Sequence, residues 1–127
     1  MFADGSQMAE VIHKDNSIDR IEYQSLLYDF YGTLLSNSQN AVMSLYHEDN
    51  LSLSEIAEEL GLSRQAVHYT LKKAEHALEE YESKLHLVSS YEKNQELAAK
   101  AAGILNKEKL TEHDRHTVMS IIGKITE

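Results

Sequence analysis

One segment limits the fold more than any other part of the sequence: "SLSEIAEELGLSRQAVHYTLKKAE", from Ser52 to Glu75. Ser52 followed by Glu55 is a capping-box pattern, in which each side chain satisfies a backbone N–H at the start of a helix. Gly61 stands where that helix has to end, because glycine adopts the left-handed conformation at low cost. Ser63 can then cap a second helix. The segment therefore predicts two helices joined by a tight turn.

The apolar residues of this segment have the spacing of a helix-turn-helix. In that motif the second helix crosses the first, and its N-terminal turn can enter the major groove of DNA. Ala57 is small where the two helices approach each other, and Leu62 is predicted to fill the space beneath the turn. Val67 and Leu71 form the inner face of the second helix. The predicted motif spans residues 52–75.

The outer face of the second helix carries polar and basic side chains. Arg can bind guanine in bidentate fashion and Gln can bind adenine, whereas Ser, Lys and Tyr suit phosphates. The alternative is a helical hairpin whose polar face only meets water, since a fold element alone does not determine a function. We predict a DNA-contacting set formed by Ser63, Arg64, Gln65, His68, Tyr69, Lys72 and Lys73.

The rest of the chain also has helical signals. Apolar residues at helical spacing predict a first helix over 17–35, and Ser36 with Gln39 predicts a second that ends near Glu48. An alanine-rich helix precedes Gly103, and Thr111 with Asp114 caps a last helix. The predicted class is all-α, with a helix-turn-helix or winged-helix-like domain.

Three parts of the chain follow from these patterns. We interpret residues 1–16 as an N-terminal tail that could be flexible. Residues 17–88 form the predicted helix-turn-helix domain, and residues 89–127 form a C-terminal helical extension. The sequence "SSYE" at 89–92 indicates either a break with a new cap or two serines inside one helix.

The predicted recognition helix is long because its apolar residues continue in a heptad pattern. From Val67 onward they alternate at spacings of four and three through Val88, as in coiled coils. The later members need a cover, which either other helices of the chain or a second copy could supply. We favour a homodimer, because helix-turn-helix proteins commonly pair to read two half-sites. The predicted dimerisation residues are Leu78, Tyr81, Leu85 and Val88.

Charge is unevenly distributed along this chain of formal net charge −9. Residues 1–62 hold two basic and eleven acidic groups, whereas residues 63–127 hold ten of each. Within 63–76, Arg64, Lys72 and Lys73 face Glu75 as the one acidic residue. The recognition segment is therefore locally positive on an acidic body. We expect specific but modest and salt-sensitive DNA binding.

Several other function classes lack their sequence signals. The sequence has no Cys, no Gly-rich phosphate loop and no nucleophile or metalloprotease motif, so we expect no enzyme activity and no cofactor. The pair in "HDRH", His113 and His116, lacks further ligands, so we expect surface histidines and no metal site. No apolar run reaches bilayer length. We expect a cytoplasmic protein without membrane insertion.

Three blocks in order, "LLYDFYGTLLSNSQ", the segment at 52–75 and "LEEYESKLHL", resemble the YlxM family. These are small bacterial helix-turn-helix proteins similar to region 4 of sigma factors, and the resemblance covers about residues 17–87. It implies DNA binding and a regulatory link to the signal recognition particle pathway. The family's DNA-reading role would fall on Ser63, Arg64, Gln65, His68 and Lys72.

The resemblance leaves two other functions open. One is a protein-interaction adaptor that acts on the signal recognition particle or its GTPase without specific DNA reading. The other is an adaptor for the RNA of that particle, which is weaker because folded RNA is usually read by other surfaces.

Overall fold

The computed structural model describes residues 17–127, so the predicted tail at 1–16 lies outside the described residues. This part of the chain is helical and has no strand, which confirms the all-α prediction and leaves no β-hairpin wing between residues 17 and 127. The helices, in chain order, are α1 (Ser17–Tyr31), α2 (Asn37–His47), α3 (Leu53–Leu60), α4 (Arg64–Leu85), α5 (Leu87–Leu105) and α6 (Glu112–Ile125), with a short 3-10 helix at Gly32–Leu34.

Local capping sets the start of three helices. Ser36, Ser52 and Thr111 each accept a hydrogen bond from the backbone N–H three residues later, and the side chain at that position bonds back to the cap. At Ser52 these two distances are 3.1 and 2.8 Å. All three capping boxes are confirmed, because each depends only on residues close together in sequence.

The first helix ends at Tyr31, four residues before its predicted end. Gly32 begins the 3-10 helix there, and a Cβ built on it would lie 2.9 Å from two ring carbons of Tyr28. Asn40 of α2 donates a hydrogen bond of 2.9 Å to the Gly32 carbonyl. Gly32 therefore leaves room for the ring of Tyr28, which lies in the last turn of α1.

The described chain divides into two compact units, one that ends at Leu85 and one that spans His86–Glu127. In the first unit, α1, α2 and α3 each pack on α4. Full burial of a Val, Leu, Ile, Phe or Met side chain stabilises a folded protein by about 1.5–3 kcal/mol. The most deeply buried apolar side chains of this unit are Leu27, Tyr31, Val42, Met43, Ile56, Val67, Ala74 and Leu78.

The second unit is a hairpin of α5 and α6. Val88, Val118 and Ile121 are buried in it. At the turn, the Asp114 carboxylate accepts hydrogen bonds of 3.0 and 2.9 Å from Lys107 Nζ. This ion pair and the capping box at Thr111 fix the start of α6.

The prediction of one helix through Val88 is wrong. The helix ends at Leu85, because His86 has the left-handed conformation with φ 56° and ψ 29° and precedes a new helix. Ser89 and Ser90 lie inside α5. A heptad pattern shows only the spacing of apolar residues. That spacing can continue from one helix into the next when both helices have buried faces, so it does not show where the first helix ends.

The four predicted dimerisation residues differ in burial. Leu78 and Val88 are almost completely buried, Tyr81 is half-buried, and Leu85 is 51% exposed. Tyr81 donates a hydrogen bond of 3.3 Å to the Leu34 carbonyl, and its ring packs at 6.0 Å from that of Tyr31. These residues do not form a continuous exposed stripe, and homodimerisation stays a prediction.

Candidate nucleic-acid interface

The turn of the motif has the predicted backbone geometry. Gly61 has φ 69° and ψ 35°, and its N–H and that of Leu62 both donate to the Ala57 carbonyl. Ala57 is buried, and α3 packs on α4. The predicted role of Leu62 is wrong, because its side chain is 45% exposed and does not fill the space beneath the turn.

Ser63 positions the first turn of α4. Its Oγ accepts a hydrogen bond of 3.0 Å from the backbone N–H of Ala66, and its carbonyl accepts one of 3.1 Å from Val67. Val67 and Leu71 are buried on the inner face, as predicted. The burial of that face fixes which side of α4 faces solvent.

The predicted DNA-contacting set lies on that solvent side. All seven residues are exposed, and all stand at the tip or on the outer face of the same helix. The structure thus brings together Ser63, Arg64, Gln65, His68, Tyr69, Lys72 and Lys73. Their contacts with DNA stay a prediction.

The basic residues of this face differ in their surroundings. Arg64 makes no ion pair with any residue of the described chain, whereas Lys72 Nζ lies 3.5 Å from Glu75 Oε1. That pair is partly exposed and therefore weak. Lys73 Nζ lies 5.7 Å from the centre of the Tyr69 ring, so the two side chains stack together on the surface. Arg64 is the cation at the tip that is most available to an external acceptor.

Beside the tip, an open depression of about 420 Å³ is lined by Leu53, Arg64, Gln65 and His68. Leu53 is the first residue of α3 and is half-buried. An apolar side chain beside Arg and Gln is suited to contact the methyl group of thymine. The predicted DNA-contacting set does not include Leu53, although a first-turn residue next to a cap is often accessible.

Two kinds of feature were absent from residues 17–127: a cluster of metal-binding side chains and a helix that could cross a membrane. Between residues 17 and 127, no three His, Asp or Glu side chains come together as a metal would require. His113 and His116 are exposed on α6. None of the six helices combines the length and the apolar character needed to cross a bilayer.

The chain is similar to known proteins over most of its length. Residues 18–118 match a protein-family model described as "Putative helix-turn-helix protein, YlxM / p13 like". A "UPF0122 protein" of Bacillus mycoides (strain KBAB4) is 41% identical over 108 residues, which cover 85% of this chain and 98% of the relative. UPF0122 proteins of Bacillus thuringiensis (strain Al Hakam) and Bacillus cereus (strain AH187) are 40% identical with the same coverage.

Proposed function

Because the chain belongs to the YlxM/p13-like family of helix-turn-helix proteins, we propose that it is a non-enzymatic regulatory protein that reads DNA with the N-terminal turn of α4. The observation that carries this proposal is the tip of that helix. Arg64 and Gln65 are exposed there, and neither makes a side-chain hydrogen bond within residues 17–127. Both have the chemistry for bidentate contact with purines in the major groove.

The start of α4 also favours contact with phosphate. Unpaired backbone N–H groups and the helix dipole attract anions at a helix N-terminus. Lys72 and Lys73 lie two turns further along the same face and suit the flanking phosphates. The acidic residues of the N-terminal half oppose this attraction over longer distances, so binding is modest and weakens with salt.

The proposal is tested by selecting a preferred duplex from a random pool and measuring its affinity at two salt concentrations. Arg64→Ala and Gln65→Ala should each weaken binding of the selected duplex by about 1–3 kcal/mol. Lys72→Ala should weaken all duplexes alike and reduce the salt dependence. Full sequence preference in the Arg64→Ala/Gln65→Ala double variant would contradict the proposal.

Two matched variants in the second unit control for the substitutions themselves. Arg115 is an exposed arginine on α6, and Gln95 is an exposed glutamine on α5. Arg115→Ala and Gln95→Ala should leave the affinity for the selected duplex unchanged. A loss of affinity in these controls equal to that at Arg64 would point to nonspecific electrostatics.

We also propose that the protein regulates the signal recognition particle pathway and that it forms a homodimer. Both derive from the sequence patterns and the resemblance, and each has its own measurement. Association with the particle is tested by pulldown with its GTPase, and pairing is tested by light scattering.

A second candidate function, a protein-interaction adaptor, is supported by the surface of the second unit. Large apolar side chains stay exposed there, and exposed apolar surface is a common feature of sites that bind other proteins. Binding of the targeting GTPase by the Arg64→Ala/Gln65→Ala double variant, together with no sequence preference in the wild type, would favour the adaptor. The exposed residues are Leu87, Tyr91, Leu105, Leu110, Met119 and Ile122.

A further inference from the structure

The α5–α6 hairpin of the second unit exposes large apolar side chains. Met119 of α6 is 66% exposed and Ile122 is 48% exposed, while Leu105 at the end of α5 is 54% exposed. Exposed apolar surface of this kind marks sites where proteins bind each other. Which partner fits depends on how these side chains are arranged and on the charge around them.

Helix geometry places these side chains on the same side of the hairpin. On α6, Met119 and Ile122 each come one residue after a buried residue, Val118 and Ile121. On α5, exposed residues likewise come one residue after the half-buried Leu97, Ala101 and Ile104. One residue turns a helix by about 100°, and the two helices of a hairpin face each other and run in opposite directions. The same step therefore leads to the same side, here called the hairpin stripe: Ala98, Ala102 and Leu105 of α5 with Met119 and Ile122 of α6.

Charged side chains lie outside this stripe or at its edge. At about 100° per residue, the four charged residues of α5 fall on the opposite half of that helix: Glu92, Lys93, Glu96 and Lys100. Near the turn, Arg115 Nε lies 3.5 Å from Glu112 Oε1, so the edge of the stripe there is polar and ion-paired. Homodimer interfaces have this composition, with an apolar core that is depleted of charge and a polar rim.

The second unit is electrically neutral, whereas the first is not. Residues 86–127 hold six basic and six acidic residues, so the formal net charge of −9 belongs wholly to residues 1–85. A large net charge of one sign opposes association, so two copies that meet through their first units repel each other. Two hairpins can meet without that repulsion. The charge distribution therefore favours the hairpin as the place where a second copy binds.

The stripe on α5 is also suited to a two-fold axis. Leu87, which is 46% exposed, stands about five helical turns before Leu105 and therefore lies on the same line along α5. Antiparallel pairing of two α5 helices would bring Leu87 of one copy beside Leu105 of the other. Ala98 lies near the middle of this line and is small, which permits a close approach of the two helices. A two-fold interface requires such a patch, because the same surface lies on both sides.

We propose that the hairpin stripe is the surface through which two copies of this chain pair, with their α5 helices antiparallel. The proposal rests on the homodimer proposed above and names its surface. It uses the second unit alone and does not depend on Leu85 of α4.

Light scattering of the full chain over a range of micromolar concentrations tests the proposal, with circular dichroism as the folding control. We expect a dimeric wild type. Ala98→Glu places two carboxylates near the two-fold axis and should raise the dimer Kd by about tenfold or more. Ala99→Glu is the matched control, because Ala99 is also exposed but lies on the side of α5 opposite α6. It should leave the dimer Kd unchanged.

Crosslinking gives a second measurement that does not depend on introducing a charge. The chain has no Cys, so a single introduced thiol is the only one present. With a short bismaleimide, Ala98→Cys should give a covalent dimer at micromolar concentration, whereas Ala99→Cys should give little. Equal crosslinking at both positions would contradict the proposed side of α5.

Two results would overturn the hairpin stripe but not the homodimer itself. One is a dimer whose Kd is the same in the wild type and in folded Ala98→Glu, and the other is an equal weakening by Ala98→Glu and Ala99→Glu. A Leu85→Glu monomer beside an Ala98→Glu dimer would likewise assign the contact to α4. A wild type that is monomeric would overturn both proposals. No DNA is present in these measurements, so their failure is distinguishable from failure of the proposed DNA reading.

Discussion

Gly61 joins the two helices of the motif in a conformation that is unfavourable for residues with a Cβ. Its φ is 69°, and a Cβ built there would meet no atom within 4 Å. Any penalty therefore comes from the backbone rather than from a clash. We expect Gly61→Ala to lower the free energy of unfolding by about 1–2 kcal/mol in urea denaturation followed by circular dichroism.

The control is the same substitution at Gly103, which lies inside α5 and also has open space around it. Alanine is the better helix former there, so Gly103→Ala should stabilise the protein by up to about 1 kcal/mol. The two substitutions differ in sign only because of backbone conformation. Destabilisation by both would contradict this explanation.

Asp114 makes the second unit sensitive to acid. Hydrogen bonds from Thr111 and Lys107 lower the pKa of this carboxyl from 3.8 to about 2. A pKa that is lower in the folded state contributes stability above the unfolded value, and the contribution is lost as pH falls through the folded value. The stabilisation should therefore be complete above about pH 4 and should disappear near pH 2.

The variant Asp114→Asn tests this dependence. Its melting temperature should lie below that of the wild type at pH 6, and the two should converge as pH falls from 4 to 2. Glu112→Gln, in the same first turn but exposed, serves as the control and should show a much smaller difference. A constant gap between wild type and Asp114→Asn at all pH values would exclude the carboxylate charge as the cause.

At the scale of elements, α1 is held against α4 by polar bonds as well as by apolar contact. Tyr31 is 1% exposed, and its hydroxyl donates a hydrogen bond of 2.5 Å to the buried Glu82 carboxyl group. One turn earlier on α4, the Glu79 carboxylate accepts a hydrogen bond from Gln24 of α1. A hydrogen bond of this kind contributes about 1–3 kcal/mol. Tyr31→Phe should therefore lower the free energy of unfolding by that amount, measured by urea denaturation.

Tyr69→Phe is the matched control, because Tyr69 is exposed and its ring contact with Lys73 does not need the hydroxyl. It should change stability by less than about 0.5 kcal/mol. A loss equal to that of Tyr31→Phe would mean that the hydroxyl–carboxyl bond is not the cause.

For the whole molecule, the packing of α1 on α4 decides which heptad residues a second copy could reach. Leu78 is completely buried, whereas Leu85 is 51% exposed at the last residue of α4. Leu78→Glu should therefore unfold the first unit, because a buried unpaired carboxylate is strongly unfavourable. Leu85→Glu should stay folded and should convert the proposed homodimer to a monomer.

Light scattering at micromolar concentration, with circular dichroism as the folding control, measures both effects. A wild type that is monomeric would contradict the proposed homodimer. A Leu85→Glu variant that stays dimeric would contradict the proposed role of Leu85 in dimerisation. A folded Leu78→Glu would contradict the burial of Leu78 within the chain. These outcomes separate stability from assembly.

The sequence by itself determined the features that depend on neighbouring residues. Three capping boxes, the left-handed Gly61 and the buried inner face of α4 at Val67 and Leu71 all follow from spacings of three or four residues. The exposed face with Arg64 and Gln65 follows directly, since the buried side of a helix defines the opposite one. That is why the all-α class and the candidate DNA interface could be predicted.

The tertiary structure decided what depends on residues far apart in the chain. Leu78 is completely buried within the described chain, on a helix against which α1, α2 and α3 pack, and the heptad pattern alone could not distinguish such a cover from a second copy. Likewise, one cleft of the first unit is lined by Gln24, His47 and Leu71, which lie on α1, α2 and α4. Hydrogen bonds between residues close in sequence can be predicted from the sequence. Which side chains are buried together depends on how distant helices pack, so it requires the tertiary structure.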